Sequence, residues 1–304
     1  MKTRYEQIVD ATCIASRGSK ENLGAIIALA EAENSKPAVE DSKRNLLLAI
    51  DIQNDFMEDI GSLAVPGSRG DVRRLTEWMY HNMEGLTQVI CSLDCHSVEQ
   101  VFHASWWIDK EGNRPAPFTL ITYEDVESGR WKVANGETER SLEYLRNLEM
   151  GNKKQLCIWP YHCLEGTFGA KLESEFTKML YFHATARGCA PQMIYKGQNP
   201  YTEMYGIIKA EYDTEGYVNQ TVLDAVGEYD AIYLAGEASS HCVLASLEQI
   251  LDYYKDNREV TSRITLLEDC MSPIGGFEQR TSEQFVVLQQ KYGIQLRKSI
   301  EVIL

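Results

Sequence analysis

Cys242 has surroundings that favour a chemical role. It follows the segment 236–241 and opens a stretch of helical periodicity, so we expect it at a helix N-terminus. Such a position stabilises thiolate, the nucleophilic form of cysteine. Cysteine is also one of the residues most often buried as a plain core side chain. Position alone therefore leaves both a catalytic and a structural role open.

Asp51 and Lys196 are charged residues that each end an apolar run. An Asp at such a point commonly caps the next helix, and a Lys there commonly reaches the surface. Taken singly, neither residue indicates a reaction.

A second group of side chains could bind a metal. Asp94 and His96 are separated by one residue, His103 lies seven residues after His96, and His162 lies further along the chain. A carboxylate with imidazoles suits Zn, Mn or Fe, and the Asp-x-His spacing lets two ligands reach one ion from an extended segment. Isolated histidines are also common in cores and on surfaces, so the spacing alone is only moderately specific.

Short apolar runs rich in Val, Ile and Leu indicate the elements that position these residues. Runs without polar alternation are typical of parallel strands buried on both faces, and helix-period stretches lie between them. This alternation predicts a doubly wound α/β fold with a mainly parallel sheet, right-handed crossovers and helices on both faces. The predicted strands are 45–52, 88–93, 192–195, 231–235 and 264–267, and the clearest predicted helices are 70–83 and 242–257.

The candidate residues are expected to meet at one edge of this sheet. Asp51, Asp94, Lys196 and the turn 236–242 each follow a predicted strand. Open parallel sheets bind ligands beyond the carboxyl ends of their strands. The sequence therefore predicts a site to which four separate segments contribute.

The chain is expected to contain one main domain with additions. Residues 1–44 are predicted to form an N-terminal helical extension, with one helix-like stretch at 21–33. Residues 45–304 are predicted to form the catalytic domain. Within it, 109–154 and 173–189 fit the strand-helix alternation badly and are interpreted as surface insertions.

Composition limits the compartment and the partners. The 304 residues carry a formal net charge of -15, which disfavours an electrostatic grip on nucleic acid. No apolar run approaches the roughly 20 residues needed to span a bilayer, and the sequence shows no secretory leader pattern. Eight cysteines include no Cys-x-x-Cys pair and are interpreted as thiols in a reducing compartment. We therefore expect a cytoplasmic protein with a small-molecule substrate, bound to neither nucleic acid nor membrane.

Taken in order, the motifs resemble those of nicotinamidases, within the isochorismatase-like cysteine hydrolases. The resemblance covers roughly 45–269, and five motifs in one order are far more specific than any one alone. It implies a Rossmann-like three-layer fold. The matching motifs are Asp51-Ile52-Gln53-Asn54-Asp55-Phe56, Asp94-x-His96 with His103, Trp159-Pro160-x-His162-Cys163, Tyr195-Lys196-Gly197, and Gly236-x-Ala238-x-x-x-Cys242-Val243.

The resemblance implies a reaction, the hydrolysis of nicotinamide to nicotinate and ammonia through a thioester. Asp51 would accept the proton of Cys242, and Lys196 would stabilise the charges that develop between them. Backbone N–H groups of Ala238 and Cys242 would form the oxyanion hole, beside a cis peptide bond between Glu237 and Ala238. Asp51 would return the proton to ammonia, and a water activated on or near the metal would hydrolyse the thioester.

The resemblance also implies the metal ligands and the substrate pocket. The ligands would be Asp94, His96, His103 and His162, binding one divalent ion, with Zn expected first and Mn or Fe as alternatives. In nicotinamidases this ion also orients the pyridine nitrogen of the substrate. Phe56 and Trp159 match residues that wall the aromatic ring, and we place His241 with them because it adjoins Cys242. Cys95 and Cys163 receive no role. Relatives of this kind are often homo-oligomers, so an oligomer is expected.

Some features depart from the family pattern and keep alternatives open. Ser240 stands where relatives often have Asp, and a long segment separates His103 from His162. The chain could instead hydrolyse another small amide or a carbamoyl compound such as a ureido acid, although the complete metal set favours nicotinamidases. Isochorismate-type vinyl-ether hydrolysis does not need the cysteine. A catalytically silent binding or scaffold protein, or a purely structural metal site, are the remaining alternatives.

Overall fold

A computed structural model describes residues 1–19, 22–151 and 154–304 of the chain. Its strands alternate with helices along most of the sequence. The strands are β1 (Asn45–Ile50), β2 (Gln88–Asp94), β3 (Trp107–Ile108), β4 (Leu120–Ile121), β5 (Lys132–Val133), β6 (Leu156–Cys157), β7 (Gln192–Lys196), β8 (Ala231–Gly236), β9 (Ile264–Leu267) and β10 (Gln295–Arg297). The α-helices are α1 (Tyr5–Ile8), α2 (Leu23–Glu31), α3 (Ser68–His81), α4 (Tyr123–Glu127), α5 (Thr138–Met150), α6 (Ser174–Arg187), α7 (Gln220–Glu228), α8 (Leu244–Tyr253), α9 (Arg258–Thr261) and α10 (Glu278–Tyr292).

The central sheet has six strands in the order β10-β9-β8-β1-β2-β7, and each neighbouring pair is parallel. Every residue of β1 is buried, as expected for a central strand that is covered on both faces. Helices flank this sheet, which confirms the predicted α/β fold. All five predicted strands lie in it, but β10 was not predicted because this three-residue edge strand is mostly exposed and has no apolar run.

The sheet's strand order explains why the site forms where it does. β1 pairs with β8 on one side and with β2 on the other, and β7 lies beyond β2. The carboxyl ends of these four strands therefore lie side by side at one edge. Asp51, Asp94, Lys196 and the turn after Gly236 are located there, as the sequence predicts.

The N-terminal segment contains the short helices α1 and α2, and its apolar side chains join the main core. Ile8, Val9, Ile14 and Ile26 are buried in the same hydrophobic cluster as the sheet, and α1 and α2 both contact α6. Helix α2 begins after Asn22, whose side chain accepts the backbone N–H of Ala25. Glu21, the first residue of the predicted helix, lies outside the described residues. The division of the chain at residue 44 into an N-terminal extension and a main domain stays a proposal.

The segment 173–189 was interpreted as a surface insertion, and the structure does not bear out that interpretation. It contains α6, which is buried along most of its length and contacts α2 and α3. The interpretation failed because the buried side of α6 includes polar residues that weaken any apolar stripe. Each of these has a partner: the ring of His183 hydrogen-bonds Leu86 O, and the Arg187 guanidinium pairs with Asp41.

The segment 109–154 adds local structure outside the central sheet. It contains β4, β5, α4 and α5, and its strands form two short antiparallel pairs, β3 with β5 and β4 with β6. Tyr144, Leu145 and Leu148 of α5 are buried. Its status as an insertion stays a proposal. In the part of the chain that the structure describes, no helix is long and apolar enough to cross a bilayer.

Candidate active site

Asp51, Lys196 and Cys242 meet beyond the strand ends. The Lys196 amine lies 2.9 Å from Asp51 Oδ2 and 3.6 Å from Cys242 Sγ, and a carboxylate oxygen of Asp51 lies within 4.8 Å of Cys242 Sγ. The hydroxyl of Ser92 donates to Asp51 Oδ1 at 2.6 Å. All three predicted residues are buried, so their charges interact with little screening by water.

Lys196 also joins this trio to the candidate metal ligands. Its amine donates to Asp94 Oδ1 at 2.5 Å and to the carbonyl of Met204 at 3.2 Å. One ammonium group therefore faces two carboxylates and a thiol. The opposite charges of Lys196 and the carboxylates stabilise one another, because a buried charge without a partner is strongly unfavourable.

The protonation states suit a base and a thiol that exchange one proton. Burial raises the pKa of Asp51, an effect that the Lys196 charge partly offsets. Burial also raises the pKa of the Cys242 thiol well above its usual range, again against the effect of Lys196. The sequence led us to expect a thiolate stabilised by a helix N-terminus, but here burial dominates. Burial therefore favours the neutral thiol form of Cys242, beside the Asp51 carboxyl group.

The turn that holds Cys242 follows β8 directly. The peptide bond between Glu237 and Ala238 is cis, and residues 239–243 form a π-helical turn that leads into α8. Gly236 precedes this turn with φ +122°, and a Cβ there would lie 2.0 Å from Ile50 O of the neighbouring strand. Only glycine lets β8 approach β1 so closely at this point.

Three of the predicted metal ligands lie together. The ligand atoms of Asp94, His96 and His162 all lie within 4.8 Å of one another, and all three residues are buried. The ring of His103 is centred 6.1 Å from the rings of both His96 and His162. His103 Nε2 is buried and has no hydrogen-bond partner among the residues that the structure describes. A buried nitrogen with a free lone pair beside three ligands fits a fourth ligand position.

Backbone carbonyls orient the three imidazoles. His96 Nδ1 lies 3.0 Å from Gly197 O, His103 Nδ1 lies 3.1 Å from Val98 O, and His162 Nδ1 lies 2.8 Å from Pro160 O. Each Nδ1 is therefore the protonated nitrogen, which leaves each Nε2 free to bind a cation. This donor set of one carboxylate and imidazole nitrogens fits a divalent metal such as Zn.

Two uncharged motif residues, Gln53 and Gly197, help to position Asp94 and His96. The Gln53 side chain accepts Asp94 N–H at 2.7 Å and donates to Asp94 O at 2.8 Å, which ties the ends of β1 and β2 together. Gly197 has φ +73°, and a Cβ there would lie 2.4 Å from His96 Cε1. In the Lys-Gly pair of the motif, Lys196 therefore provides the charge, and the absence of a side chain at Gly197 leaves the space that the His96 ring requires.

A narrow pocket opens onto Cys242. Phe56, Trp159 and His241, the three predicted pocket residues, line it together with Cys242 and Ala238. The His241 ring packs edge-on against Trp159 at 5.5 Å, and burial lowers the pKa of His241 to about 3. These three side chains are aromatic, whereas Asp94 and Glu203 add carboxyl groups to the same lining, so the pocket suits a flat ligand with a few polar groups.

Sequence reasoning missed Glu203 and Tyr205, which also line the pocket. The Glu203 carboxylate accepts the indole N–H of Trp159 at 3.0 Å and is fully enclosed, and burial raises its pKa to about 7. Both residues lie in the irregular segment after β7. Glu203 and Tyr205 follow Lys196 by seven and nine residues. This spacing matches no helix or strand pattern, so the sequence alone did not indicate that the two side chains line a pocket.

Lys154, the last residue of the proposed insertion at 109–154, lies at the outer wall. Its amine donates to Ser240 O at 3.2 Å and lies 4.8 Å from the Tyr205 ring centre. The insertion therefore reaches the vicinity of the pocket.

Several known proteins are similar to this chain in sequence or in fold. No family model matches the chain. The nicotinamidase of Saccharomyces cerevisiae is 20% identical over 203 residues, which are 66% of this chain and 78% of the yeast protein. The yeast nicotinamidase bound to the inhibitor nicotinaldehyde has 18% identity and a TM-score of 0.59, covering 84% of this chain and 99% of that chain. A nicotinamidase/pyrazinamidase of Acinetobacter baumanii has 18% identity and a TM-score of 0.55, covering 86% and 99%.

The chain therefore shares the α/β fold of these solved nicotinamidases. The resemblance to nicotinamidases that the motifs indicate is confirmed.

Proposed function

We propose that this chain hydrolyses nicotinamide to nicotinate and ammonia, with Cys242 as the nucleophile. The protein is an amidohydrolase of the nicotinamidase type. The observation that supports the specific proposal best is the contact of one buried ammonium group, Lys196, with Asp51, Asp94 and Cys242.

In the first half of the reaction Asp51 accepts the thiol proton as Cys242 Sγ attacks the carboxamide carbon. Lys196 stabilises the negative charge shared by the carboxylate and the sulfur. The N–H groups of Ala238 and Cys242 face the oxyanion of the tetrahedral intermediate. The C–N bond then breaks, and Asp51 delivers its proton to the departing nitrogen, which leaves as ammonia.

In the second half a water molecule attacks the thioester while Asp51 accepts a proton from that water. The C–S bond breaks, the proton on Asp51 returns to the Cys242 sulfur, and the nicotinic acid formed loses its proton to solvent to give nicotinate. The same carboxyl group therefore serves as base and acid in both halves, for which its raised pKa suits it.

A divalent cation held by Asp94, His96, His103 and His162 would supply Lewis-acid polarisation next to the reacting groups. We propose Zn first, with Mn or Fe as alternatives, because all suit this donor set. Asp94 has a particular position in this arrangement. Burial opposes its ionisation, but Lys196 and His96 hold its pKa below the usual range, so it remains an anionic ligand.

The pocket supports an aromatic amide as the substrate. Phe56 and Trp159 provide apolar ring surfaces next to Cys242. The similar yeast nicotinamidase was crystallised with nicotinaldehyde, which has the same pyridine ring. We further propose that the protein acts in the cytoplasm and as a homo-oligomer.

The test is ammonia release from nicotinamide and pyrazinamide by purified protein, before and after metal removal and restoration. We expect release by the wild type, none by Cys242→Ala, and recovery when metal is restored. Cys189→Ala is the matched control because that thiol contacts Gln88 far from the site in sequence and in the sheet. Absence of release from both amides by folded, metal-loaded protein would contradict the proposal.

A second candidate is a cysteine hydrolase of another small amide or carbamoyl compound. A cavity of about 720 Å³ adjoins the pocket and shares Trp159, Tyr205 and His241 with it. Its other walls include Lys154. This additional space favours a substrate with a substituent beyond the amide-bearing ring, and assays with larger amides and ureido acids distinguish the two candidates.

A further inference from the structure

Glu237 has a side chain for which the reaction described above has no use. It is fully buried, although its neighbour Ala238 lines the substrate pocket. Its carboxyl group lies next to the carboxyl group of Asp71, a buried residue in the first turn of α3, and the two groups interact. Two acidic side chains are therefore in contact directly behind the turn that carries Cys242.

In this pair, one oxygen of each carboxyl group lacks a hydrogen-bond donor within the described part of the chain. Arg74 donates to Asp71 Oδ1 at 2.8 Å, and the Ser272 backbone N–H approaches Glu237 Oε2 at 3.4 Å. Among the residues that the structure describes, no hydrogen-bond partner meets Asp71 Oδ2 or Glu237 Oε1, both of which are buried, and the Ser272 side chain also interacts with the Asp71 carboxyl group. Two ionised carboxylates would leave both oxygens unsatisfied, whereas one proton between the groups satisfies both.

The charges nearby do not support two anions. Arg74 is the cation in contact with the pair, and it is partly exposed, with 42% of its side-chain surface accessible. Glu58 adds further negative charge to the surroundings of Glu237 and is itself paired with Arg69. Burial, then the charge of Asp71, raises the pKa of Glu237 well above its usual range, in agreement with the hydrogen-bond pattern.

The pair is connected to the backbone of the catalytic turn. Glu237 N–H donates to Ile50 O at 2.9 Å, next to Asp51. Ser272, which contacts the Glu237 carboxyl group, also accepts the backbone N–H of Ser239 at 2.8 Å. A movement of the Glu237 side chain would therefore displace Ser272 and the start of the turn together.

We propose that Asp71 and Glu237 share one proton as a buried carboxyl–carboxylate pair, and that this pair positions the turn carrying Ala238 and Cys242. Glu237 is thus a positioning residue. The effect of the pair on turnover rests on the proposed amidohydrolase function, whereas the shared proton does not.

The shared proton is tested by infrared spectroscopy, independently of any activity. Wild-type protein should show a carboxylic-acid C=O band at neutral pH that is missing from Glu237→Gln and from Asp71→Asn. Both variants keep a hydrogen-bond donor between the side chains, so the fold is retained. If the band is unchanged in both folded variants, the pair holds no proton and the proposal is wrong.

The positioning role is tested by kinetics on the best substrate found. Glu237→Gln should keep activity near the wild-type value at neutral pH, because its amide N–H replaces the shared proton. Glu237→Leu, which fills the space without a donor, should lower kcat by about tenfold to a hundredfold while KM changes little. Equal kcat in the Leu and wild-type proteins, or equal losses in Gln and Leu, would overturn the role.

The pH profile supplies a second kinetic readout. In the wild type, loss of the shared proton at high pH places two negative charges side by side, so activity should fall on the alkaline side. Glu237→Gln has no such proton and should lose that decline. An alkaline decline of the same midpoint in both proteins would contradict the role of the pair. If the wild type hydrolyses no amide, the proposed function fails, and the infrared result still decides whether the proton is shared.

Discussion

At the scale of single residues, the site depends on a few buried charges that neutralise one another. Lys196 faces Asp51 and Asp94, and Ser92 donates to the oxygen of Asp51 that Lys196 does not contact. This arrangement holds the Asp51 carboxyl group beside the thiol of Cys242. The proposed role of Asp51 as a base depends on its ability to take a proton, whereas Ser92 orients the carboxyl group.

Asp51→Asn should remove the base without changing the size of the side chain. We expect kcat/KM to fall by about 10²–10⁴-fold, the usual contribution of a general base. Ser92→Ala is the matched variant, and its loss should be much smaller. Ammonia release under initial-rate conditions measures both, and an Asp51→Asn protein as active as Ser92→Ala would contradict the assigned role.

His103 provides a residue-scale test of the metal site. Its Nε2 is buried without a partner among the described residues, so we expect it to bind the cation. His103→Ala should weaken metal affinity by about tenfold or more, comparable to losses at tuned metal sites. Competition with a chromogenic chelator measures this affinity. His81→Ala, at the exposed end of α3, is the control, and equal affinities in the two variants would exclude His103 as a ligand.

At the scale of elements, the N-terminal segment contributes to the core more than its polar sequence suggests. Ile14 is completely buried and belongs to the same cluster as the sheet residues. The backbone N–H of the next residue, Ala15, donates to Glu173, the N-cap of α6. The segment is thus packed against α6 by apolar contact and by hydrogen bonds.

Ile14→Ala should lower the free energy of unfolding by about 2–5 kcal/mol, because it leaves a cavity in this shared core. Val39→Ala, at a residue that is 92% exposed, should have little effect. Denaturant unfolding followed by far-UV circular dichroism measures both. An unchanged main transition in Ile14→Ala would show that residues 1–44 form an independent extension.

The elements also show which parts of the fold the sequence could reveal. Strands such as β1 are continuous apolar runs, and the positions where these runs end predict that Asp51, Asp94 and Lys196 share one edge of the sheet. Helix α6 has no apolar stripe, because His183 and Arg187 are buried against partners that are distant in sequence. Periodicity reports burial of apolar side chains and cannot identify polar groups that tertiary contacts satisfy.

The same limit applies to the site. Motifs identified the residues that a reaction needs, since these have fixed types at ordered positions. They could not identify the pairing of Asp71 with Glu237, whose sequence separation is large and whose contact depends on how α3 packs behind β8. Glu203 was missed for a similar reason, because its partner Trp159 lies on another segment.

At the scale of the whole molecule, buried neutral histidines couple stability to pH. His183 is buried in α6, and its ring hydrogen-bonds Leu86 O. Burial lowers the pKa of His183 from 6.5 to about 4. The unfolded chain therefore binds a proton at a higher pH than the folded protein does. Stability from this group is fully present above about pH 6.5 and is lost as the pH falls towards 4.

His183→Gln should flatten this part of the stability profile. Between pH 6.5 and 4 the wild type should lose about 3 kcal/mol more than the variant, from a shift of this size at 1.36 kcal/mol per unit. Unfolding free energies of metal-free proteins at several pH values measure the difference. His81→Gln should follow the wild type, and parallel profiles for all three proteins would show that His183 is not buried in its neutral form.

The central claim, that Cys242 attacks an amide and carries the acyl group, is tested most directly by trapping the covalent intermediate. Wild-type protein mixed with nicotinamide and quenched in acid during turnover should yield a peptide in which Cys242 carries a nicotinoyl thioester. The other seven cysteines should remain unmodified. Ammonia release without any adduct on Cys242, or release that persists in Cys242→Ala, would contradict this account of the protein.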